Sequence, residues 1–220
     1  MRPDVMDREL LLTLRGACAL GSVLVLLGCL PALWRGVLFA WHPALMSIGF
    51  LSFMTEGLIT ARELRPTEGA VRVARLWHHA KVQCAAALCV LLGFYAIWEN
   101  KRRNGKAHFT SLHGKLGATT LALALGSPLG GALSFRAVGL LPRLPSAWHP
   151  HVKWAHRWGG ALAWHLALVT MAVVVPHKAV LLGVSARIFQ VALASAGACM
   201  LALLRAVEKS PLPVAGKGGA

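Results

Sequence analysis

The chain has 220 residues, 56% hydrophobic and 14% charged, with a net charge of +15. A soluble domain carries roughly 25% charged residues, so a water-soluble core does not fit this composition. The positive charge does not point to nucleic acid either, because Lys and Arg lie between apolar runs, where they mark loop sides and favour anionic headgroups and small anions.

Six apolar runs follow one another, and the expected fold class is all-α: a polytopic membrane protein with six transmembrane helices. The runs cover residues 16–33, 43–61, 79–98, 113–133, 156–175 and 186–204. Each is close to the ~20 residues needed to cross the hydrocarbon core. They are rich in Leu and Ala without alternation, which argues against strands. Short connections make sequential helices antiparallel neighbours.

Residues 1–15 are read as a cytosolic segment carrying Arg2, Arg8 and Arg15. With no small-x-small cleavage site after Leu33, the first run is expected to be a retained helix rather than a signal peptide. The second run opens at His42-Pro43. Its Glu56 lies fourteen residues after His42, close to four turns, and is predicted to face the same bundle interior at the other depth. Before the third run, Arg72 and Arg75 are spaced by three and four from His79. If that helix extends outward, all three share a face and put two cations beside His79. The alternative is ordinary loop charge. After the third run comes the basic cluster Lys101, Arg102, Arg103 and Lys106. The fourth run opens at His113, five residues after His108. The fifth opens at His156, with His165 half a turn off in direction and ~13 Å deeper, a non-ligand by that geometry. His149, His151 and His177 read as loop residues. Residues 206–220 are expected to be a disordered cytosolic tail, because their end is rich in Gly, Pro and Ala.

Trp34, Trp41, Trp77, Trp98, Trp148 and Trp154 flank the runs as an interfacial belt should. The five cysteines all fall inside apolar runs and form no C-x-x-C pair. They read as small buried hydrophobes, with no disulfide framework. Basic residues favour the side shared by both termini, which the positive-inside rule makes cytosolic. The cluster after the third run goes against that trend.

Four histidines sit at the first or second turn of the middle helices, where ionisable residues are costly and normally functional. Antiparallel topology sorts them by depth. His42 and His113 lie near the outer face, and His79 and His156 near the inner face. Two matched pairs suit two metal centres stacked across the bilayer. Zinc usually wants four ligands or a site supported by Cys or carboxylate. Haem needs only two axial imidazoles from opposing helices of a four-helix core. Copper, or a transporter using the histidines for protons or metal, remains the alternative, as does a haem-binding regulator without turnover.

Phe39-Ala40-Trp41-His42-Pro43, followed by Met54-Thr55-Glu56, resembles the second-helix signature of the cytochrome b561 family. Within it, the likeness is to the small six-helix cytochrome b561 domain-containing proteins. Gly105-Lys106-Ala107-His108 with Leu112-His113-Gly114 resembles their fourth-helix entry, and Lys153 with His156 the start of their fifth. His79, with Gln83 and Leu91-Leu92-Gly93 beyond, matches their third helix better than His78 does. The likeness covers roughly residues 38 to 175, and residues 16–205 would form the family's transmembrane domain. It implies two haem b groups with axial pairs His42–His113 and His79–His156, cytosolic ascorbate as donor, and a ferric chelate or monodehydroascorbate as acceptor. A homodimer is implied by the resemblance alone. Arg72 and Arg75 are assigned to the donor, and Lys106 and His108 to the acceptor. The membrane is expected to be an endomembrane (endoplasmic reticulum or vesicle) or the plasma membrane.

Overall fold

A computed structural model describes residues 3–64, 67–134, 140–182 and 186–209. Six long helices account for most of these: α1 (Pro3–Trp34), α2 (Leu38–Glu63), α3 (Gly69–Arg103), α4 (Leu112–Ser134), α5 (His149–Leu182) and α6 (Ala186–Lys209). Five helices carry stretches long and apolar enough to cross a bilayer, and the sixth contributes a shorter apolar stretch, Ile188–Ala202. This is an all-α polytopic membrane protein.

Several helices outrun their apolar cores. α1 begins at Pro3, so most of the expected N-terminal segment is helical. α5 starts seven residues before His156, which puts His149 and His151 on its first turn and His177 within it, not in loops. α6 runs to Lys209, so residues 206–209 are helical, and 210–220 lie outside the described residues. The reason is common to all: once nucleated by its buried part, a helix continues through polar residues until something stops it. α1 and α3 are stopped by glycine. Gly36 and Gly105 adopt φ of 69° and 60°. The Val37 and Lys106 N–H groups then donate back to the Ala32 and Lys101 carbonyls, satisfying the helix end.

Packing follows membrane rules. Ala40, Ala44, Ala86, Ala96, Ala163 and Ala167 are buried, while Leu27, Leu88, Leu129 and the six flanking tryptophans are exposed. Small residues inside let helices approach closely, and large apolar ones face lipid. α4 packs chiefly on α5, α2 on α3, and α6 on α1.

The middle of α2 departs from a regular helix. Ile48–Met54 forms a π-helical turn between the α-helical segments Leu38–Ser47 and Thr55–Glu63. Such a turn carries an extra residue and frees a carbonyl. The Phe50 carbonyl accepts from Thr55 Oγ1 (3.2 Å) and from the indole Nε1 of Trp164 (3.1 Å), which also donates to Thr55 Oγ1 (2.9 Å). Trp164 is fully buried, so its N–H needs this partner.

Candidate functional site: two histidine pairs in the bundle

The topology brings His42 on α2 against His113 on α4, with ring centroids 6.1 Å apart and planes at 85°. His79 on α3 meets His156 on α5 at 6.2 Å and 85°. The pairs occupy opposite ends of the four-helix core, because α2 and α4 run opposite to α3 and α5.

All four rings are oriented in the same way. Nδ1 of His42 donates to the Gly93 carbonyl (3.0 Å), His79 to Gly57 (2.8 Å), His113 to Thr170 (3.0 Å) and His156 to Ser127 (2.8 Å). A carbonyl only accepts, so Nδ1 carries the proton and Nε2 keeps the lone pair that a metal needs. The partners obey a rule. On α3, α4 and α5 the accepting carbonyl lies fourteen residues after that helix's own histidine: Gly93 after His79, Ser127 after His113, Thr170 after His156. Each helix gives an imidazole to one site and a carbonyl to the other. On α2 the interval is fifteen, from His42 to Gly57, and the extra residue is the one held in the π turn.

A metal between two Nε2 atoms, with bonds of ~2 Å, sets the ring centroids roughly 6 Å apart. Both pairs fit a planar macrocycle held by two axial imidazoles. A bare ion fits less well: among the described residues no three His, Cys, Asp or Glu side chains converge. Beside His42 and His113 lies a largely apolar cavity of about 600 Å³, walled by all six helices and reaching Lys101, Lys106 and His108 at its mouth. At the other pair, α4 comes close through glycine. A Cβ at Gly131 would lie 2.9 Å from His156 Cε1, and one at Gly130 would lie 3.2 Å from His156 Cβ.

Other expected site residues divide. Lys106 and His108 line the cavity of the first pair, with the His108 ring stacked on Trp98. Of the upstream cluster, Arg102 and Arg103 do not face an incoming anion alone. Both are held by the buried Glu99 carboxylate, at 2.7 and 2.8 Å. Arg72 and Arg75 lie on the outward extension of α3, and each donates to the end of α2: Arg72 Nη1 to the Leu64 carbonyl (2.6 Å), Arg75 Nη1 to that of Glu63 (2.8 Å). Glu56 corrects the sequence reading. It faces α1, not the bundle interior, and pairs with Arg15 at 3.1 Å. The π turn rotates it by about 100° from where fourteen regular residues would put it. His78 is exposed, about 100° around α3 from His79. His165 donates to the Ala161 carbonyl of its own helix and meets no other histidine.

Sequence reasoning missed the four carbonyl acceptors that orient the rings and the glycines beside His156. A signal existed: Gly57, Gly93, Ser127 and Thr170 are all small residues about four turns beyond a histidine.

A helical membrane protein with two paired-histidine sites at two depths is the class these features define. The sequence pattern of eukaryotic cytochrome b561 matches residues 41–182, and the chain belongs to the cytochrome b561 family. It is similar to transmembrane reductase CYB561D2 of Mus musculus (38% identical over 111 residues, half of each chain) and of Homo sapiens (37% over 111 residues, also half of each). It also resembles the lysosomal membrane ascorbate-dependent ferrireductase CYB561A3 of Danio rerio, at 30% identity over 132 residues, 60% of this chain and 51% of that one. The chain spans about half the length of the curated relatives it matches.

Proposed function

We propose that this protein carries electrons across a membrane through two b-type haems, from cytosolic ascorbate to an acceptor on the opposite side, a ferric chelate or monodehydroascorbate. The observation that carries this reading is the duplicated geometry: two imidazole pairs of matched spacing and angle, each ring fixed through Nδ1, at two depths of one bundle. The names of its relatives, a transmembrane reductase and an ascorbate-dependent ferrireductase, support the same direction. Bound at both pairs, haem would supply one-electron carriers with no open position for oxygen.

The chain's own residues do the rest. His42 and His113 hold one group, His79 and His156 the other. The four carbonyls keep Nε2 aimed inward and raise its basicity. Arg72 and Arg75 mark the donor side and attract the ascorbate anion. Lys106 and His108 stand at the acceptor side.

Haem content and visible spectra of the purified protein test the assignment. His42→Ala and His113→Ala remove the same haem, His79→Ala and His156→Ala the other, and His78→Ala neither. Four variants with full haem content and unchanged spectra overturn it. In the same preparation, Arg72→Gln with Arg75→Gln slows reduction by ascorbate at full haem content. An unchanged rate returns these two residues to holding the end of α2.

A further inference from the structure

The loop between α3 and α4 contains the one described non-glycine residue with a left-handed backbone, Phe109 at φ 56°. A bulky residue there is strained, and such strain persists only where the surroundings hold it. In extended chain, consecutive side chains point to opposite sides. The turn at Phe109 instead sends two neighbours to one side, onto α3. The His108 ring lies on Trp98, centroids 3.8 Å apart and 19° from parallel. The Phe109 ring lies near-parallel to Phe94, one turn earlier on α3, at 6.4 Å and 14°. Lys101 Nζ braces the same loop by donating to the Ala107 carbonyl at 2.9 Å. All of these aromatic rings line the cavity that contains His42 and His113.

We infer that Trp98 is a positioning residue for the electron acceptor: with Phe94 it forms a seat on α3 that holds the strained loop so that the His108 imidazole stands at the cavity mouth. The inference rests on the reading of Lys106 and His108 as the acceptor side and adds the element that fixes them. Trp98 touches neither donor nor acceptor in this account. It acts by keeping the His108 ring in one place, sparing the ordering cost when an acceptor docks. Face-to-face aromatic contact of this kind is worth about a factor of five in an equilibrium.

The test uses the haem-loaded protein and two readouts. The first is the rate at which diethyl pyrocarbonate modifies His108, followed by mass spectrometry, which reports the stack without reference to activity. The second is the KM for ferric citrate in reoxidation of the ascorbate-reduced protein. Trp98→Leu, which keeps apolar bulk but no aromatic face, is expected to raise both about fivefold. Trp98→Phe is expected to restore both to within about twofold of wild type. If Trp98→Leu fails to bind haem, Phe109→Leu replaces it, since it keeps the strained backbone but removes the ring that packs on Phe94. Wild-type modification rate and KM in the variant overturn the proposal. A KM raised by His108→Ala but not by Trp98→Leu sinks the seat alone. A KM unmoved by His108→Ala removes the acceptor reading and this inference with it.

Discussion

Gly131 shows how a residue without a side chain limits the site. A Cβ there would meet His156 Cε1 at 2.9 Å, closer than real Cβ contacts come, so the imidazole would have to turn. Turning it breaks the bond from Nδ1 to the Ser127 carbonyl and swings Nε2 away from His79. Gly126, on the same helix, has nothing within 4 Å of its would-be Cβ. With haem held at both pairs as proposed, Gly131→Ala is expected to lose the one at His79–His156, roughly halving the haem-to-protein ratio, while Gly126→Ala keeps both. Full haem content in Gly131→Ala would show that α4 can shift to make room. The four histidines were legible in the sequence because imidazole inside an apolar run is costly and stands out. Their carbonyl partners were not, because a backbone acceptor leaves no mark on residue type beyond a preference for small neighbours. Lys106 and His108 were legible as a charge against the trend. The pairing of Arg102 and Arg103 with Glu99 needed coordinates, since three adjacent charges can point anywhere until the helix end is fixed.

Among the helices, α2 is the one whose sequence misled. Counting residues by 3.6 placed Glu56 inside the bundle, and hydropathy carries no sign of a π turn. The fourteen-residue rule on α3, α4 and α5 explains what the turn does: it absorbs one residue so that Gly57, fifteen after His42, stands where a regular helix would put the fourteenth. It also frees the Phe50 carbonyl for Trp164. A sharp expectation follows. Deleting Ser52 from the turn leaves a regular helix with Gly57 at the common interval, so both haems are retained. The cost falls on Trp164 and Thr55, which lose a shared accepting carbonyl but keep their bond to each other, and stability drops by about 1 kcal/mol. Deleting Ala87 from α3 instead breaks the interval from His79 to Gly93 and removes a haem. Haem content and thermal denaturation of the two deletions decide between this account and simple intolerance of deletions. Equal haem loss in both would refute it.

For the whole molecule, helix number and loop charge fix the orientation together. Six helices return the chain to its starting face. That face collects Arg8, Arg15, Arg62, Arg72, Arg75, Arg143, Lys153 and Arg205, whereas the other carries Arg35, Lys106, Lys178 and the group Lys101–Arg102–Arg103. In the sequence that group weakened the asymmetry. In the fold, Glu99 binds both Arg102 and Arg103, but the positive-inside rule counts Lys and Arg rather than net charge, so the orientation rests on the larger number of basic residues at the starting face. Both termini are accordingly expected in the cytosol, with His79 and His156 nearer that side. Epitope tags at the two ends should survive external protease in sealed, right-side-out vesicles and be digested once detergent opens them. Loss of either tag before detergent would reverse the molecule in the membrane. The Arg72–Arg75 end would then meet the acceptor and the Lys106–His108 mouth the donor, so the same digestion also decides which half-reaction each site serves.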